Sequence, residues 1–120
     1  MKTIAYVEEN EDNRLLVRAI LQDHYRIVEY ASGHQAIEEL PHVMPDLVLL
    51  DISLPEMDGT EILRRIRRDP QIAGLPVIAL TAHAMSGDRE KFLSVGFDEY
   101  VSKPIVDEEI LLEAIRNLLR

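Results

Sequence analysis

The 120 residues, 13.7 kDa in mass, suit a single domain over 1–120, because two independent cores need a longer chain. Thirteen basic residues against 22 acidic ones give a net charge of −9, which argues against direct nucleic-acid binding and against an anionic membrane surface while leaving room for a cation. With no cysteine, disulfides, thiol catalysis and Cys-ligated zinc are excluded, and no apolar run approaches the roughly 20 residues that span a bilayer.

Met1–Val7 carries one lysine and no long apolar core, so no signal peptide is read, no membrane insertion is expected, and the expected location is the cytoplasm. A first apolar run, Ile4–Val7, precedes Asn10, which is placed to cap a helix with Leu15, Leu16, Ala19 and Ile20 on its inner face. Ile27–Tyr30 leads to Ser32 and Gln35 at capping-box spacing, ahead of Ala36, Ile37 and Leu40, and Pro41 is expected to stop that helix. Leu47–Leu50 ends in Asp51. Asp58 and Glu61 repeat the capping device before Ile62, Leu63 and Ile66, and Gly59 suits a tight strand-to-helix turn. Val77–Leu80 precedes Thr81, and Ser86 opens a helix that ends near Gly96, a fitting C′ glycine. Tyr100–Val101 precedes Lys103, and Asp107 caps a last helix with Ile110, Leu111, Ala114, Ile115 and Leu118 on one side.

Three of the runs are apolar on both faces, as strands buried between two helix layers read. Five strand–helix units predict an α/β fold, a parallel sheet with helices on both faces. All strands of such a sheet end at one edge, where open α/β sheets bind ligands. Glu8, Glu9 and Asn10, then Asp51, Thr81 and Lys103, follow four of the strands and are expected to meet there. Carboxylates ~4 Å apart repel by roughly 4 kcal/mol per pair at an effective dielectric near 20, so either their pKa values rise or a cation sits among them. Oxygen donors without His or Cys nearby favour Mg²⁺. A plain solvated turn is the competing reading of Glu8 and Glu9. His24, His34, His42 and His83 show no metal-ligand spacing, and Arg64, Arg65, Arg67 and Arg68 read as a solvated helix face with no function assigned.

Val7-Glu8-Glu9-Asn10, Pro45 to Asp51, Leu54-Pro55-Glu56-Met57-Asp58-Gly59, Thr81-Ala82 and Ser102-Lys103-Pro104, in this order, resemble the response-regulator receiver family over about Lys2 to Arg120. The resemblance implies a flavodoxin-like (βα)₅ fold with strand order 2-1-3-4-5. It also implies that Asp51 accepts a phosphoryl group from a histidine, forming an aspartyl phosphate. Glu9 then matches a direct Mg²⁺ ligand, Glu8 its neighbour acting through water, and the Ser53 backbone carbonyl the remaining ligand beside Asp51; Mn²⁺ is a substitute ion. Most members carry Asp where Glu9 stands, and the extra methylene moves the carboxylate outward. Lys103 matches the lysine on a phosphoryl oxygen, Thr81 the hydroxyl that bonds the phosphoryl group, and Ala82 the small residue that lets it approach. Tyr100 matches an aromatic that moves inward with Thr81. Lys103–Pro104 matches a cis peptide, and Ser53 and His83 occupy positions that tune dephosphorylation.

The partners implied are a sensor histidine kinase or histidine phosphotransfer protein, and a downstream protein or output domain on the helix 4–strand 5–helix 5 face. Such a domain acts by docking or belongs to a longer regulator or hybrid kinase. It is expected to be a phosphoacceptor that assists its own phosphorylation and dephosphorylation, not an enzyme. A haloacid-dehalogenase-type phosphatase also uses Asp and Mg²⁺, but it carries a second acid two residues on, where Ser53 stands. A nucleotide- or flavin-binding module needs a phosphate-cradling loop after the first strand, and Glu8–Asp12 is acidic and glycine-free. A pseudo-receiver that binds partners unphosphorylated stays open through Glu9.

Overall fold

The computed structural model describes residues 1–52, 59–82, 88–103, 105 and 107–119. Strands and helices alternate throughout: β1 (Thr3–Val7), α1 (Glu11–Leu21), β2 (Arg26–Tyr30), α2 (Gly33–Val43), β3 (Leu47–Asp51), α3 (Gly59–Arg68), β4 (Val77–Thr81), α4 (Asp88–Val95), β5 (Glu99–Ser102) and α5 (Glu108–Leu118). The five strands pair in parallel in the order β2-β1-β3-β4-β5, as the family resemblance implies. β3 and β4 are buried along their whole length, and β1 at all but its first residue, which explains their unbroken apolar runs. One sheet face packs Ala5, Val7, Val48, Leu50, Val77 and Ala79 under α2, α3 and α4; the other packs Ile4, Tyr6, Leu49, Ile78 and Leu80 under α1 and α5.

Local capping agrees with the sequence at Asn10, Ser32 and Asp107, whose side chains accept from the backbone N–H groups of Asn13, Gln35 and Glu109. Gly96, with φ of 120°, ends α4; its N–H bonds Leu93 at 3.2 Å and that of Phe97 bonds Phe92 at 3.1 Å. Asp58 and Ser86 lie outside the described residues.

Three expectations are corrected. The inner face of α1 is Val17, Ile20 and Leu21, while Leu15 and Leu16 are 49% and 46% exposed and Ala19 is exposed too. Apolar residues cover more than one stripe of this helix, and packing on the sheet buries Val17, Ile20 and Leu21, while Arg18 on the exposed side forms two bonds to Glu29 of β2 at 2.6 and 2.8 Å. Pro41 does not stop α2, which runs on to Val43. Proline disturbs the turn before it, through its missing N–H and its ring, and the turn after it still closes through the Met44 N–H on the Leu40 carbonyl, with Met44 at φ 51° ending the helix. In α5 the buried residues are Leu111, Leu112 and Ile115, while Ile110 is 56% exposed.

Candidate functional site

The carboxyl edge of the sheet gathers the polar residues. Asp51 and Thr81 are the last residues of β3 and β4, aligned opposite Leu80 and Ser102. Glu8 follows β1 and remains tied to the sheet through its N–H on the Tyr30 carbonyl at 2.9 Å. Lys103 follows β5, its N–H bonded to the Thr81 carbonyl at 2.7 Å. Parallel pairing of the central strands thus delivers an acid from β1, an acid from β3, a hydroxyl from β4 and an amine from β5 to one rim.

These groups are buried. Glu8 is 2% exposed, Asp51 4% and Thr81 1%. The Lys103 ammonium donates to Glu8 Oε1 at 3.0 Å and lies 3.4 Å from Asp51 Oδ2. Glu8 also accepts from the Tyr6 hydroxyl at 3.2 Å and, through Oε2, from the Asn10 N–H at 3.3 Å. Burial alone would raise the Glu8 carboxyl, but hydrogen bonds to Asp51 and Lys103 hold it below the usual carboxylate value. Two carboxyl groups around one ammonium concentrate oxygen donors in a dry environment. The donor set therefore fits a hard cation. Among the described residues no three His, Asp or Glu side chains form a metal cluster by themselves. Mg²⁺ needs only one or two carboxylates, with waters and other oxygens completing its shell.

Of the three acids expected to converge, the structure brings together Glu8 and Asp51. Glu9 is exposed at the rim, and its carbonyl, with that of Glu8, is gripped by Arg14 at 2.9 and 2.7 Å. Successive residues leaving a strand point to opposite sides, so only one of two adjacent glutamates turns inward. Ala82 is exposed beside the cluster. Tyr100 is half-buried, its ring 5.7 Å from that of Phe92 in α4, and Arg89 of α4 bonds Glu99 of β5 at 3.0 Å. Ser53, His83 and Pro104 lie outside the described residues.

The sequence leaves Tyr6 unmarked, gives Gly59 only as a turn residue and reads Arg67 as solvated; the structure adds to each. Tyr6 reads as one more apolar strand residue, yet its position two before Glu8 on one strand puts both on one face. Gly59 is required by close approach, since a Cβ there would stand 2.6 Å from Ile52 Cα. Arg67 is no solvated side chain: it donates to the carbonyls of Ala73, Leu75 and Gly96 at 2.9, 2.6 and 3.0 Å and to Asp98 Oδ2 at 3.0 Å. The partners are scattered over 31 positions, so no local pattern announces them.

A family model described as the response regulator receiver domain matches residues 4–116. The chain is 42% identical over 109 residues to the signal transduction histidine-protein kinase BarA of Escherichia coli, covering 90% of this chain and 12% of that kinase. It is 39% identical over 105 residues to the polar-differentiation response regulator DivK of Brucella ovis, covering 87% of this chain and 85% of that protein. A solved structure of the receiver domain of sensor histidine kinase PA1611 from Pseudomonas aeruginosa, with a magnesium ion coordinated in the active site cleft, superposes with a TM-score of 0.87 at 34% identity, covering 98% and 97% of the two chains. No helix among the described residues is long and apolar enough to cross a membrane.

Proposed function

The chain belongs to the response regulator receiver family of two-component signalling, and from that premise we propose that Asp51 is its phosphoacceptor. An Asp51 oxygen bonds phosphorus as the N–P bond of a phosphohistidine breaks, and the electron pair of that bond returns to the imidazole. The donor is a sensor histidine kinase or a histidine phosphotransfer protein. The observation that carries the reading is the buried cluster of Asp51 and Glu8 with the Lys103 ammonium between them. Lys103 supplies a point charge for the incoming phosphoryl oxygens, Thr81 a hydroxyl donor, and Ala82 leaves room beside them.

Mg²⁺, or Mn²⁺ in its place, would be held by Asp51, Glu9, the Ser53 carbonyl and, through water, Glu8, and would neutralise the charge of phosphoryl group and carboxylates together. Ser53 and His83 set how fast water removes the phosphoryl group. The domain acts in the cytoplasm as a switch that helps its own phosphorylation and loss of phosphate, with no turnover of a substrate. Thr81 moving toward the phosphoryl group vacates space that Tyr100 fills, reshaping the face of α4, β5 and α5, where a downstream protein or output domain docks. Exposed Ile110 beside Glu99 and Val101 supports that face as a docking surface.

Incubation with acetyl phosphate and Mg²⁺ followed by intact mass tests the reading. One phosphoryl group should appear, and chelation of Mg²⁺ should prevent it. An exposed Glu9 where Asp is usual supports a second reading, a pseudo-receiver that binds partners unphosphorylated; no mass gain would favour it.

A further inference from the structure

Tyr6 is fully buried in β1, in the core cluster that also holds Val17, Leu49, Leu80 and Leu111, and its hydroxyl reaches Glu8 at the rim. That hydroxyl ends on Glu8 Oε1, the same oxygen that accepts from Lys103. Burial first, then the adjacent Glu8 carboxylate, push the phenol's pKa upward, so it stays a donor. A glutamate at position 8 has three rotatable bonds, and a flexible carboxylate positions a lysine poorly unless something fixes it. A phenol locked by a packed core is such a fixture.

We infer that Tyr6 is a positioning residue of this site: its hydroxyl holds the long Glu8 side chain in the conformation that aims the Lys103 ammonium at Asp51. The consequence for Mg²⁺ and phosphoryl uptake rests on the phosphoacceptor reading, whereas the positioning itself does not. Tyr6→Phe keeps the ring and removes the one bond. With three lysines in the chain, the proton–nitrogen correlation of the Lys103 ammonium is a tractable NMR reporter in the metal-free protein. The wild type should show a protected ammonium, and Tyr6→Phe should lose it. Mg²⁺ affinity, measured by calorimetry, should fall about tenfold, as for loss of a partner that orients a ligand side chain. Glu8→Asp shortens the acid by about 1.5 Å, takes it out of reach of the phenol without touching the core, and should release the ammonium equally. Tyr6→Phe on top of Glu8→Asp should then change neither readout.

A Lys103 signal that survives Tyr6→Phe unchanged overturns the inference, whatever Glu8→Asp does. A wild-type protein that binds no Mg²⁺ while its Lys103 signal still depends on Tyr6 overturns the phosphoacceptor reading and leaves the positioning role intact.

Discussion

The two edges of the sheet treat charge in opposite ways. At the amino edge Arg67 closes the α3–β4 and α4–β5 connections by donating to three carbonyls and Asp98, and Asp98 Oδ2 also accepts the Val77 N–H at 2.8 Å. Asp46 does the same for the start of β1, accepting the Thr3 N–H at 2.7 Å. Each charge there faces a neutral backbone dipole or an opposite charge. At the carboxyl edge the Glu8 and Asp51 carboxyl groups are buried together around one ammonium. The first arrangement closes loops and stabilises; the second gathers oxygen donors that a further ligand can engage. A substitution should therefore cost stability at one edge and function at the other.

The largest expected effect tests that division at the acid end. Asp51→Asn removes one of two like charges in a nearly isosteric change. Phosphoryl uptake measured by intact mass should vanish, while the thermal midpoint should hold or rise. A marked loss of stability would show that Asp51 is structural and erase the contrast. Arg67→Ala is the mirror experiment. It leaves three carbonyls and a carboxylate short of a donor, and a urea titration should show a loss of about 3 kcal/mol. The folded fraction should still take up a phosphoryl group.

The alternation of strands and helices was legible because buried strands need unbroken apolar runs and helices need caps, and both signals are local. The rotation of the helices was not. Apolar residues on α1 and α5 cover more than one stripe, so Leu15, Leu16 and Ile110 were as eligible for the core as Val17, Leu21 and Leu112 until the sheet chose. The acid, hydroxyl and lysine of the rim were legible because each follows its own strand. The inward turn of Glu8 against the exposed Glu9, the Tyr6 contact and the Arg67 clamp depend on side-chain direction and on loops distant in sequence, which no motif encodes.

Gly59 joins the two behaviours in one residue. A Cβ at 2.6 Å from Ile52 Cα and 2.7 Å from its Cγ2 forces backbone apart just beyond Asp51. Gly59→Ala should cost about 2 kcal/mol and also slow phosphoryl uptake, whereas uptake unchanged at lowered stability would detach this approach from the site. A milder test sharpens the carboxyl edge alone. Glu9→Asp restores the shorter acid usual in the family, and Mg²⁺ titration should show binding tighter by a few-fold, about 0.5–1 kcal/mol; equal or weaker binding would mean the site has adapted to the longer side chain.

The smallest effect appears only in alkali. Burial first, then neighbouring carboxylates, raise the hydroxyls of Tyr6 beside Glu8 and of Tyr30, whose hydroxyl has no hydrogen-bond partner among the described residues. A group whose folded pKa is raised binds its proton more tightly in the folded state. Its contribution is complete below the ordinary tyrosine value of about 10 and is lost as the pH climbs above it. Stability should therefore decline from about pH 10 upward, on top of any general alkaline loss. Tyr6→Phe and Tyr30→Phe should each flatten that slope in urea titrations, because phenylalanine has no proton to lose. Arg67→Ala should lower the whole curve without changing its slope there. If the arginine variant flattened the alkaline limb and the two tyrosine variants left it unchanged, the sensitive edge would be the amino one, and the contrast between the edges would be reversed.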